Sequence, residues 1–207
     1  SAMASESPVR PVMLVALLGG LSAAAPPARA AAPLTACLQP LGRHEAALLG
    51  PVARGIEQVY GFRVRTLATR ELPTAAWYPP RQRYRAARLL DEVRAQRRPG
   101  SCDLVLGFTA VDVSMTKCER ADWGVLGLSY TGDAVSVVSS FRMHRAADAR
   151  LLMQRAVKVS LHEVGHAVGL PHRNDGPACL MNDAGGAIAS IDRARGPLCP
   201  GERAAAE

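Results

Sequence analysis

Apolar residues recur at helical spacing from His44 to Tyr60, where Ala47, Leu48, Val52, Ile56 and Val59 share a face and Gly61 ends the run. Phe62 to Leu67 alternates apolar residues with arginines, the pattern of a half-buried strand. Leu72 to Pro80 holds three prolines and two aromatics and reads as a loop. A second amphipathic helix is predicted over Arg81 to Arg97, with Tyr84, Ala87, Leu90 and Val93 on one face and Pro99-Gly100 as its stop. Cys102 to Val113 opens with Leu104-Val105-Leu106, as a buried strand does. Trp123 to Tyr130 is an apolar stretch interrupted by glycines, and Ala134 to Phe141 alternates as a further strand. Ala147 to Gly169 reads as one long helix, after which regular structure is sparse. Helix, strand, helix, strands and a last long helix imply one compact α/β (α+β) domain with a mixed twisted sheet, mostly parallel at its start.

The chain has 207 residues, long enough for one domain with a sizeable core. Only 4% of residues are aromatic against 48% hydrophobic, so the core must be built largely from Ala, Val and Leu. The net charge is +7, carried by arginine more than lysine. That balance suits nucleic acid, an anionic membrane or acidic substrates, but no nucleic-acid motif accompanies it, and no nucleic-acid partner is expected.

The N-terminus has the layout of an export signal. Ser1-Ala2 before Met3 reads as a cloning scar. Arg10 precedes the apolar run Val12 to Ala25, too short for a membrane span, and Ala28-Arg29-Ala30 supplies a small-x-small cleavage pattern. Leu34-Thr35-Ala36-Cys37 is an alternative, resembling a lipobox that would anchor the protein by a lipid at Cys37. The expected organisation is a scar and signal peptide over 1–30, a leader over 31–43, one folded domain over 44–200 and a flexible tail over 201–207. Export to a bacterial periplasm or beyond would place the five cysteines in an oxidising compartment. Cys102 with Cys118 and Cys179 with Cys199 are the first pairings that spacing suggests, although spacing does not fix connectivity.

Residues 162–172 carry the chemistry: His162-Glu163-Val164-Gly165-His166-Ala167-Val168-Gly169-Leu170-Pro171-His172. Two histidines four apart on a helix project from one face, so both imidazoles can reach one metal ion. Glu163 beside the first can take a proton from water at that ion. Gly169 permits a reversal of the chain that brings in His172 as a third ligand. Three of only five histidines fall within these eleven residues. Three histidines leave the fourth position of tetrahedral zinc open, as in catalytic rather than structural sites.

This motif, followed by Cys179-Leu180-Met181, resembles the metzincin clan of zinc peptidases, in which a methionine turn lies beneath the metal; Met181 falls nine residues after His172. Within the clan the chain is most similar to the archaemetzincins. Leu72-Pro73, Pro79 through Ala86 with Leu89-Leu90, Leu106-Gly107-Phe108-Thr109, Trp123-Gly124 through Leu128, and Val137 through Met143 match in order over residues 45 to 200. The resemblance implies a single metzincin-like domain, His162, His166 and His172 as ligands of one catalytic zinc, Glu163 as general base and acid, and a peptide or protein as substrate.

The family also tends to hold a second zinc on four cysteines. Arg173 stands at the first place here, Cys179 and Cys199 at the next two, and Glu202 at the fourth. Two thiolates with an arginine and a carboxylate make a poor zinc site, so one zinc is expected, with a Cys179–Cys199 disulfide closing the loop.

Tyr130 and His144 are candidate oxyanion donors, since Asn182 and Asp183 replace the tyrosine that follows the methionine in some metzincins. At a sheet edge, the Ala134–Phe141 strand would bind an extended peptide; as an internal strand it would have no such role. Two other readings remain open: an amidase or deacylase acting on non-peptide or cell-wall amides, and a catalytically silent zinc-binding scaffold. The residues that bind substrate are unknown, and a monomer is expected.

Overall fold

The structure is a computed structural model that describes residues 33–173, 179–183, 185–194 and 198. Five strands form the main sheet: β1 (Thr35–Pro40), β2 (Arg63–Thr66), β5 (Leu104–Thr109), β8 (Gly127–Ser129) and β9 (Val135–Ser139), in the order β2-β1-β5-β9-β8. The first three pairings are parallel, and β8 runs antiparallel to β9 at one edge. The apolar run Leu104-Val105-Leu106 lies in β5, the middle strand, every residue of which is buried. A smaller sheet contains β3 (Trp77–Tyr78), β4 (Arg83–Arg85), β6 (Val113–Lys117) and β7 (Arg120–Val125).

Helices α1 (Ala46–Tyr60) and α3 (Ala149–Ala167) share one apolar core with Leu38, Leu104, Leu106, Phe108 and Val138 of the main sheet. Helix α2 (Ala86–Arg94) and the smaller sheet build a second core with Cys37, Val105, Val135 and Val137. The alternation along β1, β5 and β9 therefore feeds two cores, one on each face. Helix α3 is the element that positions the site. The Asp148 side chain caps its start by accepting from the Leu151 amide at 2.7 Å. Buried Arg155 donates to both carboxylate oxygens of Asp192, in the short helix α4 (Ile188–Arg193), and to the carbonyls of Met143 and Arg145. From Ser160 to Ala167 every residue is buried.

Several expectations are corrected. The segment 31–43, read as a leader, contributes β1, which pairs with both β2 and β5. Its apolar run is short and lies beside the alanine-rich leader, which hid it. The helix predicted from Arg81 begins at Ala86, because Pro79-Pro80 form a 3-10 turn and Arg83–Arg85 pair with β6. Ala134–Phe141 provides β9, which is flanked on both sides; the edge belongs to β8.

The cysteines also pair differently. Cys37 is bonded to Cys102, and Cys118 is free and exposed. Parallel pairing of β1 with β5 brings Cys37 and Cys102 to one end of the sheet, whereas Cys118 lies at the tip of the β6–β7 hairpin. A sulfur in a disulfide cannot carry a thioether, so the lipid anchor at Cys37 is excluded in this form. Cys179 is disulfide-bonded, while Cys199, its expected partner, lies outside the described residues.

The Cys37–Cys102 bridge spans a sequence separation of 65 residues. Replacing both cysteines by alanine should lower stability by about 4 kcal/mol on the chain-entropy account, read as an earlier denaturant midpoint. Cys118→Ala should leave the midpoint unchanged. Peptide mapping that finds Cys102 joined to Cys118 would refute the pairing.

Candidate metal centre

Helix α3 presents His162 and His166 one turn apart, with Glu163 between them in the sequence. Past Ala167 the chain reverses. Gly169 takes φ +106, a conformation that side-chain-bearing residues rarely adopt, and the Leu170 amide donates back to the Gly165 carbonyl at 2.8 Å. This reversal returns His172 to the helix, as its spacing implied. The three Nε2 atoms then lie 3.1 Å (His166–His162), 3.0 Å (His166–His172) and 3.3 Å (His172–His162) apart.

The other ring nitrogens define the chemistry of this cluster. Nδ1 of His162 lies 2.7 Å from the Leu180 carbonyl, and Nδ1 of His166 lies 2.8 Å from the Leu170 carbonyl. Carbonyl oxygens only accept, so each Nδ1 carries the proton and donates it, leaving Nε2 as a bare lone pair. Burial pushes the His162 pKa down to about 4 and lowers that of His166, which keeps both rings neutral. Tetrahedral zinc with nitrogens at 2.0–2.1 Å requires nitrogen pairs about 3.3 Å apart. The observed spacings fit such an ion, and the three histidines are the one metal-competent cluster among the described residues.

Met181 is fully buried. Its Sδ occupies the space beside Gly165, where an added Cβ would lie 2.5 Å from the sulfur and 2.9 Å from the Tyr60 hydroxyl oxygen. The turn is tied to the ligands at two points: Leu180 accepts from His162, and the Arg173 amide donates to the Met181 carbonyl at 3.0 Å.

Glu163 is buried, and burial pushes its pKa up to about 8. It lines a cleft of about 410 Å³ together with the three histidines, Met115, Trp123, the edge strand from Gly127 to Ser129, and Asp183. The Gly185 amide donates to the Asp183 carboxylate at 2.7 Å, holding its pKa below the usual range. Tyr130 and His144 are not among the described residues lining this cleft; His144 pairs with Glu45 instead. Trp123, Met115, Lys117 and Asp183 were not expected in the cleft. Trp123 opens the glycine-interrupted apolar stretch and Asp183 follows the methionine, whereas Met115 and Lys117 carried no sequence signal.

The family model for peptidase family M54 matches residues 66–201. The chain belongs to peptidase family M54. It is 30% identical over 151 residues to an archaemetzincin of Haloarcula marismortui, covering 69% of this chain and 83% of that protein. An archaemetzincin of Halobacterium salinarum is 29% identical over 168 residues, covering 77% and 92%. Among solved structures, the archaemetzincin from Methanopyrus kandleri aligns with a TM-score of 0.72 at 25% identity, over 86% of this chain and 96% of that one. A zinc-dependent peptidase from Methanocorpusculum labreanum aligns at 0.68 and 24%, over 82% and 100%, and shares the fold. As an M54 member the chain is a zinc metallopeptidase by family, and among the described residues the histidine cluster is the place that can hold the ion.

Gly165→Ala should displace Met181 and the Leu180 carbonyl that orients His162. The expected outcome is a loss of about 1–3 kcal/mol from overpacking, with weaker zinc binding in equilibrium dialysis. A variant with unchanged zinc affinity would show that the methionine turn does not set the ligand geometry.

Proposed function

We propose that this chain is an exported zinc endo- or exopeptidase that uses one zinc ion, held by His162, His166 and His172, with Glu163 as its general base and acid. The observation that carries this reading is the convergence of three Nε2 atoms beside a buried carboxyl in one open cleft. When bound, zinc supplies Lewis-acid chemistry, polarising the scissile carbonyl and making water acidic enough to lose a proton near neutral pH. Glu163 takes the proton of the attacking water and later gives it to the leaving amine.

Strand β8 pairs with β9 on one side only, so its other edge can hold an extended peptide by backbone hydrogen bonds alongside Glu163. That edge favours a peptide over a small amide, and Glu163 favours an enzyme over a silent scaffold. The Cys37–Cys102 and Cys179 disulfides support the export reading, since such bonds persist in oxidising compartments. With its sulfur in a disulfide, Cys179 is no thiolate ligand, which supports one zinc rather than two; Cys199 and Glu202 lie outside the described residues.

The test is a peptide-library cleavage assay on zinc-loaded protein with two variants. Glu163→Ala should keep stoichiometric zinc and the fold but lose activity by several orders of magnitude. His166→Ala should lose the zinc. Full activity in Glu163→Ala would place the proton acceptor elsewhere, and a wild-type protein that cleaves only non-peptide amides would favour the amidase reading.

A further inference from the structure

We infer that Gly127, on the edge strand β8, is a positioning residue for the reaction, because its missing side chain is the slot in which the Glu163 carboxyl lies. This inference rests on the assignment of Glu163 as the proton carrier. A Cβ built at Gly127 would lie 2.6 Å from both Cγ and Oε1 of Glu163 and 2.8 Å from its Cδ. Non-bonded carbon atoms approach to about 3.5–4.0 Å, so the carboxyl and a methyl group cannot share that space.

The backbone gives no other reason for glycine here. Gly127 is not among the residues with positive φ, and it pairs with Val138 in an ordinary antiparallel register. Alanine is therefore conformationally acceptable, and the side chain opposite is what excludes it.

Glu163 rather than the strand must give way to an added methyl. Its backbone is held by the helix, by the Ser136 hydroxyl donating to its carbonyl at 3.3 Å, and by the anchored His162 next to it. Its side chain ends in the open cleft, into which it can rotate. The methyl would thus move the carboxyl away from the edge where a peptide would lie while leaving the histidines in place. The glycine sets where the proton is taken up and delivered.

The test uses the full chain loaded with zinc and compares Gly127→Ala with wild type. Zinc stoichiometry and Tm should be retained, kcat should fall by on the order of a hundredfold, and KM should stay within about twofold, as expected for a catalytic group displaced by about 1 Å. In a Glu163→Asp background, whose shorter side chain retracts from the strand, the same substitution should cost less than about threefold. A crystal structure of Gly127→Ala should show the Glu163 carboxyl rotated and the three imidazoles unmoved.

Activity of Gly127→Ala within about threefold of wild type, loss of its zinc or fold, or an undiminished penalty in the Glu163→Asp background would each overturn the inference. Undiminished activity of Glu163→Ala would instead overturn the role of Glu163, and the positioning role with it. The two failures are thereby read from different variants.

Discussion

Three imidazole Nε2 atoms are held 3.0–3.3 Å apart, about the spacing that a tetrahedral cation requires, and much of this structure serves to hold them there. The constraint acts at a distance from the nitrogens themselves. Carbonyls of Leu170 and Leu180 fix two of the rings by accepting from Nδ1. Those carbonyls belong to segments whose own positions depend on a reversal at Gly169 and a turn around Met181. The helix beneath is fixed by its Asp148 cap, by Arg155 gripping α4, and by the Tyr60 hydroxyl donating to the Leu161 carbonyl at 2.7 Å. Each anchor contributes modestly. Together they supply the preorganisation that an open, three-ligand site needs, because it has no fourth protein ligand to help define it.

Small residues do the complementary work. The methionine turn can pack against helix α3 only because Gly165 leaves room for a sulfur, and the edge strand can pack against it only because Gly127 leaves room for a carboxyl. The helix is thus pressed from two directions at positions one turn or less from the ligands. Bulk on either side of it would translate into displacement of a reacting group. This is why a site made of common residues needs glycine at two places where the backbone conformation does not itself demand it.

Much of this was legible in the sequence, and the misses have physical causes. The histidine cluster was readable because helical periodicity fixes His162 and His166 on one face, and a glycine three residues on leaves few places for His172 to go. The buried strand at Leu104–Leu106 was readable because a strand covered on both faces lacks polar positions. Strand β1 was missed because its residues sit next to an alanine-rich run, and pairing with strands distant in sequence is what makes them a strand. The Cys37–Cys102 bond was missed for the same reason: only the parallel pairing of β1 with β5 brings the two sulfurs together. Sheet order likewise made β9 internal and gave the edge to three residues, Gly127 to Ser129, too few to show a period.

The coupling between the turn and the ligands has a further consequence. The Arg173 amide bonds the Met181 carbonyl, and His162 bonds the carbonyl of Leu180, so the ligand after the helix and the first ligand on it are joined through one short turn. A cation drawing the three nitrogens together would also tighten that turn, and a rigid turn would hold the nitrogens ready for the cation. Metal affinity and local stability are then one quantity measured in two ways. The disulfide at Cys179, two residues before Met181, lies within the same unit. It limits covalently how far the turn carrying Met181 can open.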